Sequence, residues 1–389
     1  MRSEFDFIKQ VSSAFGTQEG VLGIGDDCAV IPQDSSWETV VSTDMLVEGS
    51  HFLFSDVSPY QLGWKSAASN FSDIAAMGAE AVGSFLALAL PADFDSVLEK
   101  MGVTGPGAAF ADADSWLDEF IRGYGDISRE YGFPLLGGDT TASVHGLCIC
   151  VTVLGRCPKG RSIKRSGARP GDLICVSGNL GDSAAGLSLV LERASNASAQ
   201  KSSENSAEVP FESSAEIPSE SNAVSEEENG KFEKYLIKRH YMPKPRIELG
   251  ILLGKSGAVG AMMDISDGVA SDLKHMLVAS SCAAKVDFAQ LPISAQAREC
   301  CRLRGLDPYR NALCGGEDYE LLFTLDPAEC ELGEDGSIRL KSSGTSLPDG
   351  CKVIGQILAA DAERAVGSIE WSSVPPGYPT ESLQGYKHF

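Results

Sequence analysis

The chain has 389 residues, with 32 Lys and Arg against 54 Asp and Glu, a formal net charge of −22. With 43% hydrophobic residues and a mean hydropathy of −0.04, it has material for two ordinary globular domains. So acidic a chain suits neither a nucleic-acid backbone nor an anionic membrane, and it should repel phosphorylated small molecules unless cations intervene. No run approaches the roughly 18 apolar residues of a membrane span. The opening MRSEFDFIKQ carries acids where a secretory signal has positive charge. Eleven scattered cysteines without a C-x-x-C pair read as reduced thiols of a cytoplasmic protein.

In chain order, the patterns predict a strand at Thr39–Thr43, a helix at Pro59–Met77 and a strand at Gly83–Leu90. An Ala/Gly-rich loop, Gly102–Asp114, precedes a helix at Trp116–Tyr131 and a strand at Gly146–Leu154. The RPGD turn at Arg169–Asp172 opens the strand Asp172–Ser177 and marks a natural domain boundary. A helix at Asp182–Glu192 follows, then the segment 195–230 with ten Ser, eight Glu and one Lys. That segment cannot bury enough apolar surface to offset ordering entropy, so it is expected to be a disordered insertion. Beyond it come a helix at Pro245–Gly254, a strand at Ala258–Met263 and a helix at Gly268–Ser280. Strands at Lys285–Phe288 and Leu321–Thr324 complete the pattern. The alternation signals an α/β (α+β) protein.

A local theme recurs: an apolar run, small residues, then an acid. It occurs in GIGDD (Gly23–Asp27), STD (Ser42–Asp44), NFSD (Asn70–Asp73), GGD (Gly137–Asp139), DISDG (Asp264–Gly268) and GGED (Gly315–Asp318). Each alone could be a turn or a helix cap. Together they read as acids standing at strand ends, where mutual repulsion calls for Mg²⁺ bridging carboxylates to phosphate. There is no Walker A motif, no GxGxxG and no protein-kinase signature; GKS at Gly254–Ser256 has Leu249 where a P-loop needs Gly. Arg161, Lys164, Arg165 and Arg169 form a basic cluster that is either a polyphosphate clamp or a solvated loop. Asp182 and Ser183, in GNLGDSAAG, are accounted for by helix N-capping.

On GIGDDCAV, STDMLVEGSHF, WKSAASNFSDIAAMGA, LLGGDTT, KRSGARPGD, GNLGDSAAGL, IKRHYMPKPRI, MDISDGVASDLKH, GGEDYELLFT and GYKHF, the chain resembles the thiamine-monophosphate kinases. That family shares an ATP-binding superfamily with aminoimidazole ribonucleotide synthetase, selenophosphate synthetase and HypE. The resemblance implies an N-terminal sheet-and-helix domain, 1–157, that forms a homodimer, and a C-terminal α/β domain, 158–389. It implies ATP-dependent phosphorylation of thiamine monophosphate to thiamine diphosphate by in-line transfer with several Mg²⁺ ions. Carried over by motif, Asp27, Ser42, Thr43, Asp44, Asp73, Asp139, Asp264 and Asp267 would bind metal. Gly138, Asp139, Arg165 and Ser266 would contact ATP, and His51, Glu317 and Tyr386 the thiamine substrate. The enlarged Gly102–Asp114 segment blocks transfer of any nucleotide contact near Phe120 or Ile121. Rival readings are a synthetase activating another acceptor and a silent Mg·nucleotide-binding regulator.

Overall fold

The computed structural model describes residues 21–22, 26–54, 56–105, 108–204 and 226–383. The N-terminal half contains β1 (Ala29–Pro32), β2 (Trp37–Val47), α1 (Pro59–Ala76), β3 (Glu80–Pro91), α2 (Phe94–Lys100), α3 (Ala113–Tyr131), β4 (Leu135–Ser143) and β5 (Cys148–Pro158). Its five strands form one sheet in the order β1-β2-β5-β3-β4. All pairs are antiparallel except β3 with β4.

The C-terminal half runs β6 (Leu173–Val176), α4 (Asp182–Glu204), α5 (Glu226–Tyr241), α6 (Ile247–Ser256), β7 (Val259–Asp264), α7 (Val269–Ser280) and β8 (Cys282–Asp287). It continues with α8 (Ala295–Arg304), α9 (Pro308–Cys314), β9 (Leu321–Leu325), the hairpin β10 (Cys330–Leu332) and β11 (Ile338–Leu340), β12 (Lys352–Ala359) and β13 (Ile369–Ser372). Six of its strands make a mixed sheet, β13-β8-β12-β6-β9-β7.

Helix α1 joins the two halves. Ser58 and Gln61 form a capping box and Pro59 starts the helix, which fixes its N-terminus. Within it only Tyr60, Gln61 and Asp73 escape burial, because the helix packs on β2, β5, α3, α6 and β7 at once. Such close approach requires small residues. A Cβ on Gly63 would lie 2.0 Å from the Phe120 carbonyl oxygen, and one on Gly250 of α6 would lie 2.2 Å from that of Ala75. The same apolar cluster holds Val151 and Val153 of the N-terminal sheet and Met262, Leu321 and Phe323 of the C-terminal one. A second cluster lies on the far side of the C-terminal sheet, around Ile174, Leu273 and Ile357.

The long elements fall within a few residues of their predicted bounds, but α4 and α5 correct the insertion. The helix after Asp182 runs on to Glu204, and α5 begins at Glu226, so helix occupies both flanks of 195–230. Residues 205–225 lie outside the described residues. The short α2, α8 and α9, the strands β1, β4, β12 and β13 and the hairpin were not expected from the sequence pattern.

Gly63→Ala should destabilise the protein by about 1–3 kcal/mol, because α1 and α3 must separate to admit the methyl group. Gly230→Ala, with open space around its Cβ, is the control and should be neutral or mildly stabilising. Denaturant melts compare the two.

Candidate active site

Asp27 precedes β1, Asp73 closes the last turn of α1 and Asp264 ends β7. One carboxylate oxygen from each lies within 4.8 Å of the others. Asp27 and Asp264 are buried. The Ser42 hydroxyl donates to Asp73 Oδ2 at 2.5 Å. Asp44, two residues along β2 and so on the same face, is held through its backbone N–H, which donates to Asn70 Oδ1 of α1 at 3.0 Å. Arg165 closes the other side, with Nη2 at 2.5 Å and Nε at 3.1 Å from Asp27 Oδ1.

These acids are under-compensated. Burial, then the charges of Asp44, Asp264 and Asp27, push the Asp73 carboxyl well above its ordinary range. Asp264 is pushed up to about 7 by burial and by Asp27. Asp26 rises to about 6 for the same two reasons. At Asp27, burial outweighs the opposing pull of Arg165, so that group also rises. Two like charges this close repel by about 4 kcal/mol at an effective dielectric of 20. Protons relieve the repulsion in the free protein, and a divalent cation would relieve it better. Asp27 Oδ2 is buried without a hydrogen-bond partner among the described residues. An all-oxygen donor set with an orphaned carboxylate oxygen fits Mg²⁺.

The DISDG and GGED motifs meet beside this cluster. The Glu317 N–H donates to the Ser266 carbonyl at 2.8 Å, and a Cβ on Gly316 would lie 2.2 Å from that oxygen. The Asp267 N–H donates to buried Asp272 at 3.3 Å, which braces the turn. Glu317 and Tyr319 both adopt positive φ, 62° and 50°, so their backbone is strained into place.

A second polar group adjoins it. Lys65 of α1 sits 2.8 Å from Glu317 Oε1 and donates to the His51 carbonyl at 3.3 Å. His51 Nδ1 accepts from the Val47 N–H at 3.1 Å, which folds its loop back onto β2. His240 of α5 lies 3.5 Å from Glu317 and 3.0 Å from the Ser183 hydroxyl. Burial opposes ionisation of Glu317, but the charge and hydrogen bond of Lys65 overcome it and hold its carboxyl below the usual range.

Other predicted residues stand elsewhere. Thr43 points to the outer face of the sheet, where its hydroxyl donates to the Val151 carbonyl at 3.1 Å. Gly138 and Asp139 lie on exposed β4, and Asp139 pairs in register with Ala87, on that same outer face. Only glycine fits at 138, since a Cβ there would lie 1.8 Å from the Leu86 carbonyl oxygen. Arg161, Lys164 and Arg169 are exposed, and among the described residues Arg165 is the member of the basic cluster that pairs with the site. Tyr386 lies outside the described residues. Asp182 is no simple cap: it is buried and accepts from Ser294 at 2.5 Å and Tyr235 at 2.8 Å.

The expected strand-then-acid template also needs correction. Only Asp264 ends a strand; Asp44 and Asp139 are inside strands, Asp73 is helical, and Glu317 follows a helix. Tertiary packing around α1, not a shared local motif, brings the acids together. Reading for carboxylates passed over Lys65, Asn70, Asp272 and His240. The lysine and asparagine did carry a signal, as polar residues inside an otherwise small and apolar helical run.

The fold and this acid-lined site define a two-domain α/β protein of the AIR synthase related class. Residues 25–157 match the family described as AIR synthase related protein, N-terminal domain, and residues 169–329 its C-terminal domain. Within that class, the chain belongs to the thiamine-monophosphate kinase family. It is 36% identical over 370 residues to the thiamine-monophosphate kinase of Escherichia coli (strain K12), covering 95% of this chain and 92% of that one. With the Bacillus subtilis (strain 168) kinase it shares 32% over 334 residues, 85% of each. A solved complex, AaThiL with AMPPCP and TMP, superposes with a TM-score of 0.71 at 27% identity, over 100% of this chain and 99% of that one. HypE in complex with ATP, at 17% identity and a TM-score of 0.55, covers 86% of this chain and 82% of its own and shares the fold.

The raised carboxyls give a signed expectation. Asp264 holds its proton in the folded state up to about pH 7 but loses it near 3.8 when unfolded. Stability of the metal-free protein should therefore fall as pH rises through that window. Added Mg²⁺ should raise the melting temperature more at pH 8 than at pH 5.5, where protons compete. An equal shift at both pH values contradicts the metal assignment.

Proposed function

We propose that the chain phosphorylates thiamine monophosphate to thiamine diphosphate at the expense of ATP, with Mg²⁺ held by the acid cluster. The observation that carries this is the trio Asp27, Asp73 and Asp264, the first and last buried and Asp73 half-buried, with one oxygen of each within 4.8 Å. Asp44, Ser42 and Asp267 complete the cation-binding edge. A Mg²⁺ ion held there would neutralise phosphate oxygens and screen the two substrates from each other.

The chain's own residues position and exclude. Arg165, which pairs with Asp27 here, would be free to receive phosphate oxygens if a cation held that carboxylate, and Ser266 stands on the turn after β7. His51 and Glu317 are the proposed contacts of the thiamine substrate. The attacking group is an already ionised phosphate oxygen, so no general base is required. It forms the new P–O bond in line as the bond from the γ-phosphorus to the leaving ADP oxygen breaks. A cavity of about 380 Å³ lined by Ile121, Tyr124, Ser128, Pro134 and Leu135 opens at the start of β4. We assign it to the adenine base, whose flat apolar faces suit that lining.

The proposal extends to a homodimer. Met45 and Phe85, on the outer face of the N-terminal sheet, are 53% and 41% exposed, an apolar face left uncovered in one chain. Asp139 shares it. Three strand spacings separate β2 from β4, roughly 14 Å, too far for Asp139 to share a cation with Asp44 of the same chain. A second copy packed on this face supplies its own Asp139 to the neighbouring site. Division of the chain at 157 and 158 agrees with the end of the first sheet at Pro158. Eleven free thiols fit a cytoplasmic enzyme.

Incubation with ATP and thiamine monophosphate should yield thiamine diphosphate only when Mg²⁺ is present. Asp73→Asn should lower kcat at least about 100-fold while the protein stays folded; near-normal turnover by this variant would sink the metal assignment. Mixing inactive Asp73→Asn and Asp139→Asn proteins should restore activity, because a mixed dimer then has one intact site. No recovery under conditions that exchange subunits removes the shared-site reading.

A further inference from the structure

Lys65 stands in the middle of α1 with none of its side chain exposed. A fully buried lysine requires compensation. Its ammonium lies 2.8 Å from Glu317 Oε1 and 3.0 Å from Oε2, donates to the His51 carbonyl at 3.3 Å, and sits 5.7 Å from the centre of the Tyr241 ring. These partners come from the loop after β2, the turn before β9 and the end of α5. One charge thus ties the N-terminal half to the C-terminal half.

The two residues it holds are the proposed thiamine contacts. Lys65 grips His51 by its backbone carbonyl and Glu317 by its carboxylate, and the Val47 N–H fixes the imidazole through Nδ1. The Glu317 side chain nevertheless keeps 26% exposure, so it can still meet a ligand. Glu320 shows what a purely structural acid looks like in this fold. It has no exposed side-chain surface and is closed by Arg246, Arg239 and Ser177 at 2.5, 3.0 and 2.5 Å. The neighbouring histidine adds little charge: burial, then Lys65, drive the His240 pKa down to about 3, so it stays neutral.

We propose that Lys65 is a positioning residue that locks His51 and Glu317 into one thiamine-monophosphate subsite and thereby sets affinity for that substrate but not for ATP. The inference rests on the reading of His51 and Glu317 as substrate contacts. Lys65 lies on α1 two turns before Asp73, so the same helix that carries a metal ligand carries the anchor for the acceptor. The acceptor subsite and the cation site are therefore held in fixed register.

Steady-state kinetics on the full-length protein, varying each substrate in turn, test this with Lys65→Met and Glu317→Gln. Lys65→Met should raise KM for thiamine monophosphate about tenfold or more and leave KM for ATP within twofold, and Lys65→Arg should recover part of the loss. If Lys65→Met does not fold by thermal melt, Lys65→Gln, which retains donors, takes its place with the same expected split. The double variant with Glu317→Gln should be no worse than the poorer single variant, since the two side chains act as a unit. A thiamine-monophosphate KM within twofold of the parent, or equal changes for both substrates, overturns the inference. If Glu317→Gln itself leaves that KM unchanged, the substrate reading fails instead, which separates the two failures.

Discussion

The structure is organised around three carboxylates, two buried and one half-buried, packed within 4.8 Å of one another. Asp27, Asp73 and Asp264 come from a turn, a helix and a strand end, and burial raises the proton affinity of each. Such a group can persist only if the surrounding packing over-determines it. Helix α1 supplies that packing, because both sheets and two helices close on it through glycines that permit near contact of backbones. The stability of that core therefore holds the acids together against their own repulsion. The free protein relieves the strain with protons and Arg165, both of which a cation and a phosphate can replace.

Three degrees of charge compensation lie along one path through the molecule. Glu320 is fully enclosed, and Arg246 and Arg239 overcome burial to keep it ionised. Glu317 is kept ionised by Lys65 yet remains partly open. The acid cluster is the least satisfied, with an orphaned carboxylate oxygen on Asp27. Closed pairs of the first kind brace a fold, whereas groups with perturbed proton affinity and spare valence mark where a ligand binds. The gradient runs from scaffold to the proposed acceptor subsite to the proposed cation site.

Much of this was legible in the sequence because long elements carry strong periodicity. The helix over 59–76 and the strands over 83–90 and 146–154 follow from their apolar pattern and caps. Family motifs placed Asp27, Asp44, Asp73 and Asp264 in one site. Their local setting was misread, since a strand end, a helix turn and a mid-strand residue look alike when each is written as small residues followed by an acid. The face of Thr43 and Asp139 depends on strand register, which no local pattern specifies at an edge strand such as β4. Lys65 escaped notice because its partners lie 14 residues and 252 residues away in sequence. Helical flanks of the 195–230 segment were hidden by composition, which reports solubility better than local conformation.

The most direct test of the account is to locate the cations. Crystals grown with Mn²⁺ in place of Mg²⁺ and a non-hydrolysable ATP analogue should show anomalous scattering peaks among Asp27, Asp73 and Asp264, with Arg165 turned from Asp27 toward phosphate. Bound nucleotide without anomalous peaks there, and Arg165 still paired with Asp27, would contradict it.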